Sequence, residues 1–148
     1  MRPNTDPLPY ALVRILVVDD FDPWRQQVCS ILGARPELRV VAEAADGLEA
    51  VQKARDLKPD LILLDIGLPS LDGLEAAKRI RLIAPGTKII FVTQNSDKDT
   101  VQAALSNGAM GYVLKTDAGS EILTAVASVL SGDQFLSRGV KRHDPARN

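Results

Sequence analysis

The chain has 148 residues, the length of about one domain, and a domain of this size buries roughly 70% of the surface that its unfolded chain exposes. Its 18 Lys and Arg against 19 Asp and Glu leave it nearly neutral, which argues against a general basic surface for nucleic acid. The single cysteine, Cys29, excludes an internal disulfide, the apolar runs are too short to cross a bilayer, and no signal-peptide pattern opens the chain, so we expect a cytoplasmic protein.

Five short apolar runs, rich in β-branched residues, predict β-strands. The runs lie at 12–18, 38–44, 61–64, 88–92 and 111–114. Strands that are apolar on both faces are typical of a parallel sheet covered by helices on each side. The second run is interrupted by Arg39 and Glu43, so we expect it at an edge of the sheet.

Segments between and after these runs have apolar residues at spacings of three and four, which predicts five helices. The first apolar residues of the stripes are Trp24, Leu48, Leu74, Val101 and Ile122. A short acidic side chain precedes four of them and can accept a hydrogen bond from a free amide of the first turn. These candidate caps are Asp22, Asp46, Asp72 and, beside Ser96, Asp97.

Strict alternation of strand and helix predicts an α/β fold, (βα)5, with a doubly wound five-stranded parallel sheet. Right-handed crossovers leave few topologies for five such units, and we expect the flavodoxin-like order 2-1-3-4-5. The expected domain covers residues 12–132, after an N-terminal extension at 1–11. Residues 133–148 are expected to form a polar C-terminal tail without an output domain.

Polar residues follow the strands where each of them ends. Asp19 and Asp20 follow the first strand, Asp65 the third, Thr93 the fourth and Lys115 the fifth. Because sites in open parallel sheets form beyond the carboxyl ends of the strands, we expect these side chains to converge on one rim.

Each residue alone also has a structural explanation, such as a helix cap for Asp20 or a surface charge for Lys115. Together, the three carboxylates would repel one another unless a cation compensates, and Mg²⁺ prefers such oxygen ligands. This set of residues is typical of phosphoryl transfer. Asp65 would be the nucleophile that forms an acyl phosphate, Lys115 would neutralise the phosphoryl oxygens, and Thr93 would donate a hydrogen bond to one of them.

The motifs "VVDD", "LLDIGLP", "FVT" and "GYVLK" resemble, in this order, the receiver domain of two-component response regulators, the CheY-like family. The resemblance covers residues 12–132. It implies a phosphorylation-dependent signalling switch that uses Mg²⁺. The implied residues are the phosphoacceptor Asp65, the metal ligands Asp19, Asp20, Asp65 and the Gly67 carbonyl, the switch residues Thr93 and Tyr112, and the phosphoryl-binding Lys115.

The resemblance also implies partners. A histidine kinase or phosphotransfer protein would donate the phosphoryl group, and a downstream protein would bind the face of helix four, strand five and helix five. A homodimer through the last helices is a further expectation, and the chemistry would be limited to self-phosphorylation and autodephosphorylation. Two residues depart from the family pattern: Gln94, which is large and would restrict access to the phosphoryl group, and Thr116, where many receivers have proline.

Among receiver domains, the sequence most resembles those that precede a helix-turn-helix DNA-binding domain. We therefore expect the chain to be either a stand-alone receiver or a piece of a longer protein. The main alternative is an interaction module that works without phosphorylation. A flavodoxin-like cofactor enzyme is disfavoured because "DDFDPW" would repel a phosphate. Direct DNA binding would have to rest on a short basic tail, which contains Arg138, Lys141, Arg142 and Arg147.

Overall fold

Strands and helices alternate along residues 11–141, the part of the chain that the computed structural model describes. The strands are β1 (Val13–Val18), β2 (Leu38–Ala44), β3 (Leu61–Leu64), β4 (Lys88–Thr93), β5 (Gly111–Leu114) and β6 (Phe135–Leu136). The helices are α1 (Asp22–Leu32), α2 (Gly47–Leu57), α3 (Gly73–Ile83), α4 (Lys98–Ser106), α5 (Ala118–Leu130) and α6 (Arg138–Lys141). Within this part of the chain, no helix has the length and apolar character needed to cross a bilayer.

All strand pairs are parallel, and the sheet order is β2-β1-β3-β4-β5-β6. The predicted α/β architecture and the edge position of β2 are therefore confirmed. The predicted count of five strands is wrong, because β6 adds a sixth beside β5. The amide of Phe135 donates to the carbonyl of Met110 at 2.9 Å, and that of Ser137 donates to Tyr112 at 2.8 Å. A strand of two residues is too short to produce a recognisable pattern in the sequence.

The sheet separates two apolar cores. Successive residues of β1 point to opposite sides, as strand geometry requires: Leu16 lies on the side of α2, α3 and α4, and Val17 on the side of α1 and α5. The central strand β3 is buried along its whole length. This two-sided burial explains why the strands read as continuous apolar runs.

Two of the four predicted helix caps form as expected. The carboxylate of Asp46 accepts from the amide of Glu49 at 2.8 Å, and Asp72 caps α3 in the same way. Asp97 stands at the cap position of α4 but accepts no bond there from a helix amide. Asp22 is not a cap, because it is already the first residue of α1 and its carboxylate pairs with Arg25.

The segment after α5 packs against the domain. Ser137 is fully buried, accepts from the amide of Leu114 at 3.1 Å, and lies within hydrogen-bond distance of the carboxylates of Asp117 and Glu121. Val140 is buried in the core on the α4 side. The part of the predicted tail up to residue 141 is thus anchored to β5 and α5, while Arg142 and Arg147 and most of the predicted extension at 1–11 lie outside the described residues.

Candidate functional site

The predicted site residues come together at the carboxyl ends of β1, β3, β4 and β5. An open depression of about 560 Å³ lies there. Its lining includes Asp20, Asp65, Gly67, Thr93, Gln94 and Lys115. Asp19 joins this group through its contact with Lys115. The residues differ in exposure, since Asp19 and Asp65 are 2% and 7% exposed, whereas Asp20 lies open to solvent.

The two buried carboxylates are held in the same way. One oxygen of each accepts a hydrogen bond from a backbone amide. Asp19 Oδ1 accepts from Phe21 at 2.9 Å, and Asp65 Oδ1 accepts from Ile66 at 2.7 Å. The other oxygen of each faces Lys115, whose Nζ lies 2.7 Å from Asp19 Oδ2 and 3.0 Å from Asp65 Oδ2. A single ammonium therefore bridges the ends of β1 and β3.

Burial and the pairing between lysine and carboxylate act in opposite directions on the pKa values of Asp19 and Lys115. Burial raises the pKa of Asp19, and the neighbouring Asp65 raises it further, while Lys115 and the Phe21 amide act against this shift. Burial by itself would lower the pKa of Lys115, but the bonds to Asp19 and Asp65 outweigh it and leave the pKa raised. The lysine therefore keeps its positive charge at neutral pH.

Three carboxylates at this rim fit a hard cation. Asp19, Asp20 and Asp65 each offer an oxygen within 4.8 Å of the others. Asp19 Oδ2 is buried and accepts no aligned hydrogen bond, so its only close partner in the described structure is the lysine charge. A donor set made only of carboxylate oxygens suits Mg²⁺. Gly67 is exposed and lines the same depression, and its carbonyl as a fourth ligand stays a prediction.

Thr93 and Tyr112 meet at the loop that follows β4. Thr93 Oγ1 accepts from the amide of Asn95 at 3.3 Å, and the Tyr112 hydroxyl donates to the carbonyl of the same residue. The Tyr112 ring is fully buried, and this burial, together with the charges of Asp65 and Asp97, raises the pKa of its hydroxyl. The ring thus already occupies an inward position, and its change of rotamer on activation stays a prediction.

Two residues that the sequence analysis did not single out support the acidic rim. The guanidinium of Arg25 donates to the carbonyl of Asp19 at 2.7 Å and to Glu43 at 2.9 Å, which ties the loop after β1 to α1 and β2. Gly73 opens α3 directly against the backbone that follows β3, where its amide donates to the Ile66 carbonyl at 2.7 Å. Arg25 follows Asp22 by one helical turn and could have been noticed on that spacing, but the contact of Gly73 depends on the folded chain.

Comparison with known proteins shows which family the chain resembles. The family model "Response regulator receiver domain" matches residues 15–127. The transcriptional regulatory protein LnrK of Bacillus subtilis is 38% identical over 84% of the chain, and LiaR of the same organism is 36% identical over 87%. The chain spans 57% of the length of LnrK and 61% of LiaR. A LuxR-family two-component response regulator from Aurantimonas has a TM-score of 0.85 at 32% identity, covering 89% of this chain and 94% of that one.

Proposed function

The chain belongs to the family of response regulator receiver domains. We propose that Asp65 accepts a phosphoryl group from a histidine kinase or a phosphotransfer protein. One observation carries the assignment: Lys115 contacts Asp65 and Asp19 together, within a cluster of oxygen ligands at the rim of the sheet. A carboxylate beside a fixed cation, open to a depression, can receive a phosphoryl group whose charge is neutralised on arrival.

The proposed step is a transfer between two side chains. An oxygen of Asp65 forms a bond to phosphorus while the bond from phosphorus to the donor histidine nitrogen breaks, and the imidazole keeps the electron pair. Lys115 then contacts a phosphoryl oxygen, and Thr93 exchanges its long contact with the Asn95 amide for a hydrogen bond to another. Asp19, Asp20, Asp65 and the Gly67 carbonyl would hold Mg²⁺, which neutralises phosphoryl oxygens when bound. Self-phosphorylation and the later loss of the phosphoryl group are the only chemistry that we assign.

The free energy that the new phosphoryl contacts supply is close to the free energy that the switch needs. A charge-assisted hydrogen bond contributes about 1.5–3 kcal/mol, so the contacts from Lys115 and Thr93 amount to about 3–6 kcal/mol. Moving a two-state element from 1:99 to 99:1 needs about 5.5 kcal/mol. Lys115 is already paired before phosphorylation, so its net gain is smaller than the full bond. We therefore expect a population shift rather than a complete change of state.

The output surface in this proposal is the face of α4, β5 and α5, which would bind a downstream protein or a second copy of the chain. The described structure adds a constraint, because β6 pairs with β5 and Val140 packs into the core beside this face. A partner would meet the chain's own C-terminal segment there. A cytoplasmic location stays part of the proposal.

The proposal is tested by titrating the chain with Mg²⁺ and beryllofluoride, a mimic of the phosphoryl group, while amide signals are followed by NMR. We expect Mg²⁺ alone to shift the signals around the three carboxylates, because they bind the ion. The signals of Thr93 and Lys115 should show their full shift only when both additives are present, because the mimic needs both the ion and Asp65. Unchanged spectra under these conditions would favour an interaction module that works without phosphorylation.

Gln94 is expected to slow loss of the phosphoryl group. Its side chain is exposed at the depression next to Thr93, where it would restrict the approach of water. The variant Gln94→Ala should therefore lose the phosphoryl group severalfold faster than the wild type, measured as decay of the phosphorylated form after removal of the donor. Gln102→Ala, on the exposed side of α4, is the matched control and should decay at the wild-type rate. Equal decay of Gln94→Ala and wild type would show that the side chain does not shield the site.

A further inference from the structure

Lys115 has a third neighbour besides its two carboxylates. Its Nζ lies 5.4 Å from the ring centroid of Trp24, the only tryptophan of the chain, on α1. An ammonium group carries three donors and no acceptor. It donates a hydrogen bond to Asp65 and forms an ion pair with Asp19, and the aromatic face covers another side. The ring itself is half-buried and packs against the core shared by α1 and α5.

We propose that Trp24 is a positioning residue that holds Lys115 at the site while the ionic partners of the lysine change. The inference rests on the proposed function, since it concerns the same phosphoryl transfer. Sequence periodicity places Trp24 on the apolar stripe of α1, which accounts for its packing but not for its contact with the lysine.

Lys115 must change its ionic partners in the course of the proposed phosphoryl transfer. In the described structure the ammonium pairs with Asp19 and Asp65. For the transfer, Asp19 would already be needed as a metal ligand; Asp65 would then carry the phosphoryl group, and the ammonium must turn to that group. Both ionic partners thus change. The aromatic face is neutral, attracts a cation, and competes for neither the metal nor the phosphoryl oxygens. Among the contacts of the ammonium within residues 11–141, it is the one that can persist through the exchange.

The test compares side chains that keep or lose an aromatic face at this position. Trp24→Phe keeps a ring, Trp24→Leu keeps apolar volume only, and Ile31→Ala removes apolar packing from the same helix away from the lysine. The donor is phosphoramidate with Mg²⁺, because a small donor excludes effects on docking of a partner protein. We expect Trp24→Leu to be phosphorylated about 3- to 30-fold more slowly than wild type, with Trp24→Phe recovering most of the rate and Ile31→Ala close to wild type.

Three outcomes would overturn the inference: a wild-type rate in Trp24→Leu, a rate in Trp24→Phe as low as in Trp24→Leu, or an equal loss in Ile31→Ala. A second readout does not need phosphorylation. The Hε protons of Lys115 should be shifted upfield by the ring in the wild type, keep that shift when Mg²⁺ is added, and lose it in Trp24→Leu. Unshifted protons in the wild type would also reject the inference. A wild type that is never labelled would instead count against the assignment of Asp65.

Discussion

Replacing Asp65 by asparagine should abolish phosphorylation of the chain by phosphoramidate and Mg²⁺. The amide oxygen of asparagine is neutral, is a poor nucleophile, and cannot give the acyl phosphate that a carboxylate gives. The change also removes one of the two ionic partners of Lys115 and one of the three clustered carboxylates. Incorporation of the phosphoryl group should fall from near one per chain to background, measured by intact mass.

The fold of this variant should survive, since asparagine is nearly the same size as aspartate and Lys115 keeps its contact with Asp19. Circular dichroism and a urea titration check this. Asp56→Asn is the matched control, because Asp56 is an exposed carboxylate on α2 and its loss leaves the rim unchanged. Stoichiometric phosphorylation of Asp65→Asn would disprove the assignment, and loss of phosphorylation in Asp56→Asn would show that the assay reports something other than the site.

Replacing Gly73 by alanine should damage both stability and phosphorylation. A Cβ at this position would lie 2.0 Å from the carbonyl oxygen of Asp65 and 2.7 Å from Cα of Ile66. Both atoms belong to the backbone, so neither can swing aside as a flexible side chain would. Relief requires that α3 move away from the loop that carries the phosphoacceptor. We expect the free energy of unfolding to fall by about 3 kcal/mol or more, at the upper end of the costs of overpacking.

A second glycine separates this steric effect from the general effect of placing alanine in a helix. Gly119 lies near the start of α5, and a Cβ there would meet no atom within 4 Å. Gly119→Ala should leave stability unchanged or raise it by up to about 1 kcal/mol. Urea unfolding measures both variants, and the labelling rate with phosphoramidate shows whether Gly73→Ala also displaces Asp65. A Gly73→Ala chain as stable as wild type would mean that the close approach can relax without cost.

Much of the fold can be predicted from local patterns. The buried strands are apolar on both faces, the amphipathic helices are spaced between them, and Asp46 and Asp72 mark where two helices begin. The convergence of Asp65, Thr93 and Lys115 on one rim then follows from sheet order, because each of them ends or follows a parallel strand. Position along a strand is a property of the sequence, so this part of the site can be found without coordinates.

Contacts between distant segments were not predicted. Whether the face of Trp24 or open solvent lies beside Lys115 depends on the rotation of α1 against β5, and the apolar stripe does not specify this. The close approach of Gly73 to the Asp65 carbonyl also exists only once α3 has packed. Asp22 looked like a cap because short acidic residues often are, yet Phe21 stands at the cap position, and Asp22 is the first residue of α1 and pairs with Arg25.

The short strand β6 also bears on how the protein avoids aggregation. An exposed sheet edge is a template for pairing with another chain, and long apolar edges are the hazardous ones. At the β6 end of the sheet, the outermost strand has only two residues. At the other end, β2 carries the exposed charges of Arg39 and Glu43. One edge is thus protected by its shortness and the other by its charge, and β6 occupies the side of Gly111 and Tyr112 at which a foreign strand could otherwise pair with β5.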